Sequence, residues 1–334
     1  MSTSIVVFLV SLAVTGASVP FVRQMALTLG FVDVPAKRKL HSTPIPLMGG
    51  VAIFGGAILI LVAYFGRLGN MRVLGLLFGA TLVAIVGLID DRKPLPPLVK
   101  LGGQSIAFVI VIALGTTVQL PVHPYINYTL TFVWLAVITN TVNFLDNMDG
   151  LCAGVCAVAA AFIVLMAELS GQFFVGPIAA AVLGACLGFL RYNFKPASIF
   201  MGDAGALFLG FLLAQMTLQL RFPANSTFVT WMIPLLLMGV PLFDLTLVVI
   251  ARLRRGVNPL TTAGKDHTSH RLVRMGLSHR EAVMTIYLMG GAFGMVALFV
   301  THASTIEGYA VGGSTALFAG FLIYNLLQRE DVTT

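Results

Sequence analysis

The stretch TNTVNFLDNMDGLCAG, residues 139–154, crowds Asn140, Asn143, Asp146, Asn147 and Asp149 into ten residues. Side chains this rich in oxygen hydrogen-bond a nucleobase or ribose, or coordinate Mg²⁺, which prefers hard oxygen ligands. Read as one continuous helix, Asn143, Asp146, Asn147 and Gly150 fall at i, i+3, i+4 and i+7 and share a face, with Asp149 about 60° away. A purely structural network would need a matching donor for each of these acceptors.

Three further stretches carry chemistry. In GLIDDRKPLPPLVKLGGQ the adjacent carboxylates of Asp90 and Asp91 repel each other, which is useful where a cation is held or a proton taken. The plainer reading is a solvated helix end. In NFKPASIFMGDAGALFLGF the small neighbours of Asp203 let its carboxylate approach a bulky anion or its metal, and helix capping is the plainer role. The segment RLRRGVNPLTTAGKDHTSHRL offers Arg252, Arg254, Arg255, Lys265, His267, His270 and Arg271. There the two imidazoles at i, i+3 and the flanking cations suit a diphosphate, and contact with anionic lipid is the plainer reading. A basic, proline-rich turn, DVPAKRKLHSTPIPLMGG, leads into the second apolar run. Cys152, Cys156 and Cys186 lie in or beside apolar runs without metal-ligand company and read as small residues in helix packing.

The elements that must position these groups are membrane helices. Of the 334 residues 58% are hydrophobic and 10% charged, outside the range of soluble domains. Apolar runs long enough to cross a ~30 Å hydrocarbon layer recur along the chain, and barrel-type alternation is absent. Eleven spans are expected, at about 4–22, 48–65, 73–89, 98–117, 128–145, 151–170, 174–190, 204–220, 227–251, 281–301 and 308–328. No Lys or Arg precedes Arg23, so the first run reads as an uncleaved span rather than a signal peptide. Of the 20 basic residues, 17 then fall on one side, leaving Arg67, Arg72 and Arg221 on the other. By the positive-inside rule the N-terminus is outside and the C-terminus cytoplasmic. The expected organisation is one all-α, membrane-embedded domain over 1–334, with cytoplasmic loops at about 23–47, 90–97, 191–203 and 252–280. All the polar clusters above lie at cytoplasmic ends.

Taken together, the chain resembles the polyprenyl-phosphate N-acetylhexosamine-1-phosphate transferase superfamily over nearly its whole length. The likeness rests on the Asp33 to Gly50 stretch, on Asp90-Asp91 followed by Lys100 and Gln104, and on the Asn-x-x-Asn-x-x-Asp-x-x-Asp-Gly run. It rests also on Asn193 before Met-Gly-Asp at 201–203, on Pro-Leu-Phe-Asp at 241–244 and on the histidine segment. The resemblance implies a reaction in which a polyprenyl phosphate attacks the β-phosphorus of a UDP-linked amino sugar, giving the polyprenyl-diphospho-sugar and UMP. It implies Mg²⁺, with Mn²⁺ as a substitute, held by Asp203 and Asn143. Asp90 is then the base or lipid-phosphate organiser, supported by Asp91. Lys100, His267 and His270 meet phosphate oxygens, Asn143, Asp146 and Asp149 hold the uridine or assist the metal, and Asn193 and Arg271 are further substrate-binding residues. The implied partners are a UDP-activated amino sugar, undecaprenyl phosphate and the lipid bilayer of the inner membrane, with a homodimer as an option and no nucleic acid.

Departures from the family pattern sit at Asn147 and Gly264, where Gly and Asp are usual, at Ser269 for a histidine, at Leu47 for a basic residue and at Ala206 for Ser. UDP-GlcNAc is the expected donor, with a modified or epimeric amino sugar as rival and phospho-MurNAc-pentapeptide transfer as the alternative. An anionic-lipid transporter or flippase, a different class, would need charges part-way through the spans, whose middles are nearly charge-free.

Overall fold

The computed structural model describes residues 2–33, 44–65, 71–259, 262 and 264–328. Lys37, Arg38, Lys39, His41, Arg67, Arg329, Glu330 and Asp331 lie outside the described residues. The chain is 78% helical, and it divides into two compact units, Met1–Leu220 and Arg221–Thr334.

The first unit contains α1 (Ser2–Leu29), α2 (Gly49–Phe65), α3 (Met71–Arg92), α4 (Pro97–Ala113), α5 (Pro124–Phe144), α6 (Leu151–Leu169), α7 (Val175–Asn193) and α8 (Gly202–Gln219). A short antiparallel pair, β1 (Val32–Asp33) and β2 (Ile45–Pro46), precedes α2. Helix α8 is buried on every side over nearly its whole length and forms the centre on which α2, α3 and α5 pack. An all-round apolar helix has no solvent stripe to present, so it goes inside. Cys152, Cys156 and Cys186 are buried free thiols in α6 and α7, as their apolar setting predicts.

The second unit contains α9 (Thr227–Thr230), α10 (Met232–Leu237), α11 (Gly239–Arg254), α12 (Thr268–Arg274), α13 (His279–Val300) and α14 (Thr305–Gln328). Phe243, Leu247 and Ala251 of α11 pack on Ile323 and Leu327 of α14. Ser278 and Glu281 close a reciprocal capping box at the start of α13.

Among the described residues six helices are long and apolar enough to cross a membrane, or seven if one bent pair counts as a span; α2 and α4 are shorter apolar helices of 17 residues. The bent pair falls on the span expected over 227–251. There Thr227–Leu237 and Gly239–Arg254 meet at 71°. The reason is in the sequence, since Pro234 and Pro241 lack the N–H groups that would bond residues 230 and 237, and the helix breaks next to both.

Candidate active site

Asp90, Lys100, Asn143 and Asp203 meet where α3, α4, α5 and α8 end. The Lys100 Nζ lies 2.9 Å from Asp90 Oδ2 and 3.1 Å from Asn143 Oδ1, and it also donates to Asp203 Oδ2. The Asn143 amide donates to Asp203 Oδ1 at 2.9 Å, and Asp90 Oδ1 accepts from the Leu95 N–H at 2.6 Å. Side chains from α3, α5 and α8 thus share the one ammonium that α4 supplies. Deeper along α4 and α5, Gln104 and Asn140 exchange two amide hydrogen bonds at 3.2 and 2.8 Å, which satisfies both away from water.

The N-terminus of α8 organises the remaining carboxylates. The first N–H groups of a helix have no partner within it. Here Asp91 accepts from the N–H groups of Asp203 at 2.7 Å and Ala204 at 3.1 Å, while Asp146 accepts from that of Gly202. Burial pushes the Asp146 carboxyl up to about 7, and the nearby charges of Asp203 and Asp91 add to the rise.

Close backbone approach fixes this helix start. Gly202 has φ +73°, and a Cβ there would lie 2.7 Å from the Asp91 carboxylate. A Cβ on Gly50 would meet the Gly205 nitrogen at 2.1 Å, and one on Gly87 the Asp203 carbonyl at 2.5 Å. The start of α2 ties in as well, since Gly49 N–H and Gly50 N–H donate to the carbonyls of Phe200 and Met201 at 2.8 and 2.7 Å. Asp203 is therefore held from both sides by main chain.

The run 143–150 departs from its expected geometry. Helix α5 stops at Phe144 and α6 begins at Leu151, so Asp146, Asn147 and Asp149 lie in the intervening turn rather than on one helix face. Gly150, at φ +79°, makes that turn, and β-region or left-handed backbone is what Asn, Asp and Gly tolerate. Asn193 is buried, taking the Gly150 N–H at 3.0 Å and donating to the Ile199 carbonyl at 3.0 Å. Asp149 accepts from the Ala197 N–H at 3.1 Å. These two residues brace the turn against the segment leading to α8.

In the second unit Asp244, buried on α11, receives His267 Nδ1 at 2.7 Å and the Thr268 N–H at 2.7 Å. The His267 and His270 rings lie 6.4 Å apart at 67°. Burial, with the charges of His267, Lys265 and Arg274, pushes the His270 imidazole down to about 4. Asp266 binds Arg252 Nε at 3.1 Å and an Arg255 terminal nitrogen at 2.6 Å. Against the upward push of burial, those two arginines hold its carboxyl below the usual range. Gly264 leaves room for it, because a Cβ there would stand 2.6 Å from Asp266 Oδ2. Arg271 is buried and donates to the carbonyls of Asp266 at 2.8 Å and Leu326 at 2.9 Å.

The structure thus gathers Asp90, Asp91, Lys100, Asn143, Asp146 and Asp203 around the start of α8, and places His267, His270 and Arg271 together on and beside α12. Sequence reasoning did not give Asp244, Asp266, Arg252 and Arg255 their roles. The signal for Asp244 was a single carboxylate in an otherwise apolar helix, which needs a partner. The oxygens of Asp90, Asn143 and Asp203 already share one cation, and a hard-oxygen set of this kind fits Mg²⁺ or Mn²⁺. Among the described residues no three acidic, histidine or cysteine side chains surround one point as metal ligands do; the Lys100 ammonium takes that place.

These features define a helical, multi-pass membrane protein with an acidic, lysine-bearing site at its helix ends. The glycosyl transferase family 4 model matches residues 73–221, which include Asp90, Asp91, Lys100, Asn143, Asp146, Asp149, Asn193 and Asp203. Over 309 residues the chain is 35% identical to the probable undecaprenyl-phosphate N-acetylglucosaminyl 1-phosphate transferase of Bacillus subtilis, covering 90% of this chain and 86% of that one. It is 33% identical to the decaprenyl-phosphate N-acetylglucosaminephosphotransferase of Mycobacterium tuberculosis (93% and 86% covered). It is 26% identical to the undecaprenyl-phosphate alpha-N-acetylglucosaminyl 1-phosphate transferase of Escherichia coli K12 (85% and 80% covered). The chain belongs to glycosyl transferase family 4 and is a sugar-phosphate transferase.

Proposed function

We propose that this enzyme transfers GlcNAc-1-phosphate from UDP-GlcNAc to undecaprenyl phosphate, releasing UMP and starting a lipid-linked cell-envelope glycan. A phosphate oxygen of the lipid forms a bond to the β-phosphorus as the bond from that phosphorus to the UMP oxygen breaks. The observation that carries the reading is the Lys100 ammonium shared by Asp90, Asn143 and Asp203, a built cation site at the helix ends. The names of the relatives support the GlcNAc and polyprenyl parts.

Asp203 and Asn143 would hold Mg²⁺, whose chemistry is to neutralise charge on the transferring phosphoryl oxygens. Asp90 aligns the lipid phosphate or takes its proton, and Lys100 meets a phosphate oxygen. Asp91 and Asp146 hold the α8 start that carries Asp203. His267 and His270 hold phosphate oxygens of the donor. The charge distribution supports eleven crossings, an outside N-terminus and a reacting face on the cytoplasmic side of the inner membrane.

The test incubates purified protein with Mg²⁺, undecaprenyl phosphate and equal UDP-GlcNAc, UDP-GalNAc and UDP-MurNAc-pentapeptide, reading UMP and lipid product. GlcNAc product should dominate. One buried group reading the C4 hydroxyl is worth ~1–3 kcal/mol against the epimer. A dominant pentapeptide product would overturn the sugar assignment, and absence of UMP with every donor would overturn the reaction.

A further inference from the structure

The carboxylate of Asp244 stands outside the acidic cluster of the first unit, yet it is buried and both its oxygens point at the start of α12. Oδ2 lies 2.7 Å from His267 Nδ1, and Oδ1 accepts the Thr268 N–H at 2.7 Å. Its side chain is 4% exposed and that of His267 12%. An ionised carboxylate only accepts hydrogen bonds, so Nδ1 must carry the proton between them. The second contact, to the backbone, stops the carboxylate from rotating with the ring. Its anchor is rigid as well, because the neighbouring Phe243 and Leu247 are packed in the core against α14. Of the cations in the same unit, Arg252 and Arg255 are engaged by Asp266, and Arg271 by main-chain carbonyls.

We propose that Asp244 is the positioning residue for His267, fixing Nδ1 as the donor so that Nε2 is the nitrogen presented to a phosphate oxygen of the donor substrate. This rests on the reading above that His267 holds phosphate oxygens. The arrangement follows the general rule that an imidazole doing chemistry through one nitrogen is oriented through the other. The titratable groups that the structure sets against the ring are Asp244 from α11, at 2.7 Å, and His270 of α12, its ring 6.4 Å away. Asp244 is the carboxylate among them.

Asp244→Asn separates positioning from scaffolding. Its amide oxygen still accepts the Thr268 N–H, while its NH₂ donates to Nδ1 and forces the proton onto Nε2. In detergent-solubilised, ¹⁵N-histidine-labelled protein, His267 is assigned by its loss in His267→Gln. The wild type should show Nδ1 protonated, and Asp244→Asn should show the opposite tautomer at a pH where the ring is neutral. Turnover should fall ~10–100-fold in kcat, the usual range for an orienting partner. In a His267→Gln background the same change should cost less than about threefold, since the two act as one unit. Asp244→Glu, which keeps an accepting carboxylate, should retain the Nδ1 proton and recover most of the turnover. An unchanged tautomer in Asp244→Asn would overturn the proposal, as would an equal loss of turnover with and without His267. If no UDP-sugar yields UMP, the transferase reading fails, and the tautomer comparison still decides whether Asp244 sets the ring.

Discussion

Lys100→Met removes the one cation that Asp90, Asn143 and Asp203 share, and the consequences can be worked from its distances. The ammonium is 2.9 Å from Asp90 Oδ2, and the side chains of Lys100 and Asp90 are each 14% exposed, that of Asp203 30%. At an effective dielectric constant of about 20, a pair at that distance is worth on the order of 6 kcal/mol of Coulomb energy. Most of this is offset by the desolvation of three charged groups. Removing one partner of a buried pair costs ~3–5 kcal/mol, and the exposure of Asp203 lowers the expectation here to ~1–3 kcal/mol. The metal-free variant should therefore melt several degrees below the wild type. A divalent cation no longer competes with the ammonium, so Mn²⁺ should bind ~10–100-fold more tightly to Lys100→Met, at ~1.4 kcal/mol per tenfold. Mn²⁺ in turn should restore the lost melting temperature, while turnover stays low for want of the lysine. Titration followed by electron paramagnetic resonance, beside thermal melts with and without Mn²⁺, reads both quantities. Equal or weaker Mn²⁺ binding in Lys100→Met would refute the idea that the lysine occupies the cation position.

Asp203→Asn should lower turnover at least ~10²-fold with the fold intact, as loss of a positioned charge-stabilising contact does, and EDTA should abolish UMP release by the wild type. Asp91→Ala leaves the Asp203 and Ala204 N–H groups of α8 unaccepted and should destabilise the protein by ~0.5–2 kcal/mol, measured by thermal melting, with Asp91→Asn milder. His270, whose imidazole is held down to about 4, is neutral in the fold at pH 7. As pH falls from about 6.5 to about 4 the unfolded chain takes up this proton first, so stability drops through that window and no further below it. His270→Gln should flatten the pH dependence of the melting temperature there, and an unchanged slope would remove His270 as its source.

The residues that gather at the α8 start were legible because carboxylates and amides at the ends of apolar runs have few other uses, and Asp90, Lys100, Asn143 and Asp203 do converge. Their division of labour was not. Asp91 stands next to Asp90 in sequence, yet it meets the N–H groups of a helix more than a hundred residues away, which no local pattern encodes. The spacing of Asn143, Asp146 and Asn147 fits a 3.6-residue period and so predicts helix, while the left-handed Gly150 that ends that possibility shows only in the backbone. The break at 237–239 was written in Pro234 and Pro241, but a hydropathy window averages over both. The Arg252 and Arg255 grip on Asp266 needed the position of Gly264, whose missing side chain is the signal.

The glycine contacts around Gly202 constrain how this enzyme can vary. Where main chain touches main chain there is no side-chain volume left to adjust, so a change at Gly50, Gly87 or Gly205 moves the Asp203 carboxylate bodily or leaves the protein unfolded. Graded tuning has to come from positions that border the cluster without gripping it. Asn147 is such a position, in the turn beside Asp146, with its amide donating to the Phe144 carbonyl at 2.8 Å. A library at 147 should therefore alter donor preference while keeping the reaction, whereas a library at the three glycines should return mainly inactive protein. The inventory of accessible substrates is set by the rim, and the invariance of the chemistry by the touching backbones beneath it.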